Sequence, residues 1–109
     1  MDILYLYGFS EMTGNQLERL LPILKLQIQM GKQIGFVLIH DGVIGINTKG
    51  KTPKAIEELL NLNLSLHAMV PDMKARGIPL THANAKVKPI EYTELVDIID
   101  NSKKIISWM

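Results

Sequence analysis

The chain has 109 residues, enough for one domain and too few for two ordinary ones, and 47% of them are hydrophobic, so a packed core can form. A formal net charge of +1 argues against a broad nucleic-acid-binding face or an acidic tail. The absence of cysteine removes disulfides, thiolate metal sites and any thiol nucleophile from this chain, and it fits a cytoplasmic protein.

In chain order, residues 3–7 (ILYLY) read as a strand stopped by Gly8. Residues 9–14 read as a loop, with Thr13 or Asn15 placed to cap the next helix. From residue 16 to 30, Leu17, Leu20, Leu21, Leu24 and Ile28 fall at helical spacing, and Glu18, Lys25 and Gln29 take the other face. Gly31 should end this helix. Pro22 lies inside it and either kinks it or moves its start to about Leu21; the sequence leaves both open. Residues 34–40 (IGFVLIH) form an unbroken apolar run into Asp41-Gly42, the mark of a strand buried on both faces.

The stretch GVIGINTKGKTP reads as a loop, and Thr52-Pro53 opens a second helix by cap and N1 proline, running to about Leu60. Residues 64–70 (LSLHAMV) read as a third strand broken by Pro71, and residues 72–76 as a helical turn closed by Gly77. Residues 78–87 are ambiguous and leave room for a brief fourth strand. Residues 89–101 read as a helix with Tyr92, Leu95, Val96 and Ile99 on one side and acids early in its course, which suits the helix dipole. Residues 104–108 (KIISW) read as a last strand. This alternation predicts an α/β fold: a single domain over 1–109, a three-layer α/β/α sandwich with a mainly parallel sheet of four to five strands. The start MDILYLYGF has no basic n-region or small-residue cleavage site, and no apolar run approaches the roughly 20 residues of a membrane span, so a soluble chain is expected.

In sheets of this kind, ligands gather beyond the carboxyl ends of the strands. His40, Asp41 and Gly42 sit at that edge after the second strand, and Asp72 and Arg76 come after the third. Neither G-x-G-x-x-G nor G-x-x-x-x-G-K-[ST] is present, so a nucleotide or small-ligand site in the loop from Asp41 to Gly50 has weak motif support beside a plain connecting loop. Lys49, Lys51 and Lys54, like Lys86 and Lys88, read as solvated surface. His40 and His67 could meet at neighbouring strand ends and, with Asp41 or Asp72, form a minimal metal or acid–base set; a histidine in an ordinary packing role is the plainer reading. Ser10 and Ser65 lack an elbow motif. Asp72 and Arg76 are spaced for a local i,i+4 pair. Trp108 either plugs the core or lies in a subunit contact.

Three segments taken together, VLIHDGV, MVPDMKARGI and VKPIEYTELVDIIDNSKKIISW, resemble the DsrH/TusB branch of the DsrE/DsrF/DsrH sulfur-relay family. The resemblance implies an α/β/α fold, a cytoplasmic setting and assembly with DsrE/TusD-like and DsrF/TusC-like subunits, with a TusA-like sulfur carrier as a further partner. No cofactor and no metal are expected, and from charge and hydropathy no direct nucleic-acid binding and no membrane contact; self-association stays open. The family passes persulfide sulfur between cysteines, for 2-thiouridine in tRNA or for sulfur oxidation. Where some H-type members carry a cysteine, this chain has Arg19-Leu20-Leu21; where E-type members carry theirs, it has His67-Ala68-Met69. A methionine thioether forms no persulfide, so the resemblance implies a non-catalytic subunit. The strand-end position of His40, Asp41, Gly42, Asp72 and Arg76, and not a family motif, makes them the candidate partner- or ligand-facing edge.

Overall fold

The computed structural model describes residues 1–10 and 15–109. Five strands, β1 (Ile3–Tyr7), β2 (Ile34–Leu38), β3 (Ser65–Met69), β4 (Lys88–Ile90) and β5 (Lys104–Trp108), form one parallel sheet in the order β4-β3-β2-β1-β5. The helices are α1 (Gln16–Gln29), α2 (Lys54–Leu60), α3 (Val70–Ala75) and α4 (Tyr92–Asp100), with 3-10 helices over His40–Ile46 and Leu80–His82. The chain steps outward from β1 to β4, then returns through α4 to the far side of β1.

The sheet faces are unequal. On one, Leu17, Leu20, Leu21 and Leu24 of α1 and Ala55, Ile56 and Leu59 of α2 pack on Tyr5, Tyr7, Phe36, Leu38, Leu66 and Ala68. Three of those rings stack in sequence, with Phe36 lying 6.0 Å from Tyr5 and 5.5 Å from Tyr7 between centroids. Tyr5 carries its hydroxyl to Gln27 Oε1 at 2.7 Å, so the polar tip of a buried ring is satisfied. The opposite face is a smaller cluster of Leu4, Val37, Ile39, Met69 and Ile90 beneath α4. The outward return to β5 on this second face keeps every crossover the same hand, as parallel sheets require. This is the three-layer α/β/α sandwich.

Residues 3–7 and 104–108 form strands as the sequence indicates, and β2 is buried along its whole length. Pro22 lies inside α1, which begins at Gln16; Glu18 and Pro22 are both exposed, so water can take the carbonyl that the proline leaves unbonded. Asn15 stands at the N-cap without a side-chain cap bond, and Thr13 lies outside the described residues.

Other boundaries differ. Pro53 is the N-cap of α2 rather than its first helical residue, with ψ at 145°. The fourth strand is Lys88–Ile90, downstream of the ambiguous 78–87 stretch, and the helix expected from residue 89 begins at Tyr92. The expected loop after β2 is largely a packed 3-10 helix in which Gly42, Val43, Gly45 and Ile46 are buried. Its far end is pinned: Thr48 N–H donates to His82 O at 2.8 Å, and Asn84 N–H donates to Ile46 O at 3.0 Å. No helix among the described residues is long and apolar enough to cross a membrane.

Candidate functional site

The carboxyl ends of β2 and β3 are neighbours in the sheet, so the segments leaving these two strands emerge side by side. After β2, Ile39 N–H donates to Tyr7 O and Gly42 N–H closes a turn on Ile39 O, both at 2.9 Å. His40 is the first inner residue of that turn and holds φ at +50°, in the left-handed region. After β3, α3 starts at once and places Asp72 in its first turn and Arg76 at its C-cap. Gly77 comes next at φ +67°, while Gly77 N–H donates to Lys74 O and Ile78 N–H to Met73 O. That pair of bonds is a Schellman end, and its left-handed residue is the reason for glycine directly behind Arg76.

Four of the five edge residues named from sequence converge through side chains. Arg76 Nε donates to Asp41 Oδ1 at 2.9 Å, and Arg76 Nη1 donates to the Asp72 carbonyl at 3.1 Å. The Asp72 carboxylate lies 3.8 Å from Arg76 Nη1 and 3.8 Å from His40 Nδ1. Spacing alone indicated only the Asp72–Arg76 pair; the shorter contact is the long-range one to Asp41. Asp72 and Arg76 are mostly covered (side chains 16% and 25% exposed), whereas the His40 side chain is 63% exposed. The acids and the guanidinium therefore make a braced base, and the imidazole stands above it.

Gly42, the fifth residue, serves by size: a Cβ on it would sit 2.5 Å from the Tyr7 carbonyl oxygen. The glycines expected as a loop signal are thus partly a packing requirement, which a sequence pattern does not distinguish from a ligand cradle.

His67 does not join the set. It lies on β3 between Val37 and Lys88 in register, on the sheet face beneath α4. Both its ring nitrogens are shut from solvent without a hydrogen-bond partner among the described residues. Burial holds its pKa below the ordinary imidazole value; Lys88 adds to the lowering and Glu94 opposes it. The acid–base constellation of His40, His67 and Asp72 is therefore reduced to His40 and Asp72. Among the described residues, no group of three or more His, Cys, Asp or Glu is placed to hold a metal ion. Trp108 is half-buried against the larger core cluster, opposite Tyr7 in the β1–β5 register. The signal that sequence reasoning lacked was the backbone of His40, since nothing in HDG marks the histidine rather than the glycine as the left-handed residue.

A family model described as DsrH like protein matches residues 10–105. The chain belongs to the DsrH family. Among curated proteins it is similar to Protein TusB from Serratia proteamaculans (strain 568), 33% identical over 73 residues that cover 66% of this chain and 72% of that protein. Among solved structures it is similar to the ychN protein from E. coli, with TM-score 0.80, 16% identity and 99% of both chains covered. It is also similar to MTH1491 from Methanobacterium thermoautotrophicum, with TM-score 0.68, 14% identity and 96% of both chains covered. At those identities the two structures speak for the fold alone. Membership of the DsrH family supports a sulfur-relay subunit, here one without cysteine.

Proposed function

We propose that this DsrH-family chain is a non-catalytic subunit of a cytoplasmic sulfur-relay complex. It docks and stabilises cysteine-bearing DsrE/TusD-like and DsrF/TusC-like partners, with a TusA-like carrier as the adjoining member of the relay. The sulfur passes as persulfide between the partners' thiols, toward 2-thiolation of the tRNA wobble uridine or toward sulfur oxidation. One observation carries the reading: a family member with no cysteine in its 109 residues has no atom on which to form a persulfide. Six methionines do not change this, because a thioether sulfur has no ionisable S–H.

The braced cluster of Asp41, Asp72 and Arg76 beneath His40 gives the docking edge a fixed shape. A preorganised surface of this kind costs little ordering on association. Trp108, half-buried beside the same strand ends, offers an aromatic anchor at the margin of that edge. The ligand-binding alternative for the 41–50 loop gains nothing comparable, since Gly42, Val43, Gly45 and Ile46 are taken up in packing.

The test is reconstitution. The chain is mixed at micromolar concentration with a cysteine-bearing DsrE-like partner, passed over a sizing column, and then loaded with a persulfide donor. Co-elution is expected, with mass spectrometry finding the added sulfur (about +32 Da) on the partner's cysteine and none on this chain. Separate elution, or a sulfur adduct on this chain, overturns the reading.

A further inference from the structure

We propose that His40 is the proton acceptor for a thiol that a partner brings to this edge. The inference rests on the sulfur-relay reading and deepens it by giving one residue a chemical task. His40 Nε2 takes the proton of the partner's cysteine: the S–H bond breaks, an Nε2–H bond forms, and the electron pair stays on sulfur. The product is a thiolate, the nucleophilic form of cysteine, beside an imidazolium. No oxidant or reductant enters the step.

Position, orientation and backbone all point this way. The imidazole stands at the carboxyl edge of a parallel sheet, just past a strand buried on both faces. Its orientation is set on two sides. Nδ1 faces the Asp72 carboxylate at 3.8 Å, within ion-pair range for the protonated ring. The Cδ2 side lies along Gly8, where an added Cβ would come within 3.6 Å of it. Nε2 is the remaining polar atom of the ring, and among the described residues it has no hydrogen-bond partner. An imidazole with one nitrogen turned to a carboxylate and the other without a partner among the described residues is the arrangement of a general base.

Asp72 is itself held. Arg76 reaches its carbonyl and its carboxylate while gripping Asp41, so the acid that would steady the imidazolium cannot swing away without breaking those contacts. The backbone adds a separate sign. His40 keeps φ at +50°, a left-handed conformation that is strained for an L-residue with a Cβ, and Gly42 two residues on does not take it. With no thiol on its own chain, the proton this ring would accept belongs to a visitor. His67 shows the contrast, with both nitrogens sealed beneath α4 and unable to exchange protons with a docked group.

The experiment reads the partner's thiol. Chain and cysteine-bearing DsrE-like partner are reconstituted, co-elution is confirmed, and alkylation of the partner's cysteine by iodoacetamide is timed across pH. In the wild-type complex the rate near neutral pH is expected to exceed that of the His40→Asn complex by about tenfold, with its pH midpoint about one unit lower. Asparagine tolerates the left-handed backbone, so this variant keeps the turn. Asp72→Asn leaves the ring in place without its counter-charge and is expected to give part of the same loss. Equal rates and equal midpoints in co-eluting wild-type and His40→Asn complexes would overturn the proposal and leave the docking role standing. Failure of the wild-type chain to co-elute would remove both.

Discussion

Gly42 and Gly77 look alike in sequence and fail for different reasons when changed. At Gly42 the backbone passes over Tyr7, and a methyl group would meet that carbonyl oxygen at 2.5 Å, so something in the β1–β2 contact must move. At Gly77 an added Cβ meets nothing within 4 Å, but φ is +67°. The first is overpacking against backbone, which costs about 1–3 kcal/mol; the second is conformational and costs about 1 kcal/mol. Thermal denaturation of Gly42→Ala, Gly77→Ala and Gly77→Asn separates them. Asparagine should recover part of the loss at Gly77, because it visits the left-handed region, whereas no side chain fits at position 42. If Gly77→Asn melts no higher than Gly77→Ala, the Schellman end is not what sets that residue. The same distinction governs how the candidate site reads from sequence. His40, Asp41, Asp72 and Arg76 could be placed together because neighbouring parallel strands deliver their successors to one edge. The Arg76–Asp41 bond could not be foreseen, since Asp72 at i−4 is the obvious local competitor for the guanidinium.

At the scale of elements, α4 was legible by its apolar spacing, and its start was not. Three residues of strand, KPI, precede it on the sheet edge, where a proline is tolerated, and too short a run gives no alternation to detect. Glu91 then caps α4 with Glu94 in a reciprocal box, although glutamate is outside the usual set of N-cap residues. The 3-10 helix after β2 escaped for the opposite reason: its glycines lower helix propensity, and tertiary packing of Val43 and Ile46 holds it in place. The strands β1 and β5 were legible because each is a compact apolar run with a clear stop.

α4 also closes over His67, and that burial has a pH signature. The folded state holds the His67 pKa low, while the unfolded chain has the ordinary value of about 6.5. Above that value both states are neutral at this ring and folding is unaffected. As pH falls below it, the unfolded state binds the proton first, so stability drops until the folded pKa is passed. Melting temperature should therefore fall between about pH 7 and pH 5, and His67→Leu should flatten that segment of the curve. A variant whose profile matches wild type over this window would show that the ring is not sealed beneath α4. Lys88 on β4 and Glu94 on α4 are the charges beside it, 3.9 Å from each other.

For the molecule as a whole, the unequal covering of the sheet orders its stability. Two helices bury one face with a continuous row of leucines, while the other depends on α4, which has no fully buried residue and leaves Tyr92 and Val96 exposed. β5 enters the sheet through a single neighbour, β1, and its Ile105 remains exposed on the edge. β1 and β2 have partners on both sides and are almost wholly buried. Local opening draws on the parts with fewest buried contacts. Amide hydrogen exchange followed by mass spectrometry should find β1 and β2 exchanging only through global unfolding, α1 close behind, and α4 with β5 opening earlier as one unit. Both of those elements belong to the return crossover, and each has fewer buried residues than β1 and β2. Equal protection in α4 and α1 would mean that the thin layer is as firmly held as the thick one, and the asymmetry of the two clusters would then have no energetic consequence.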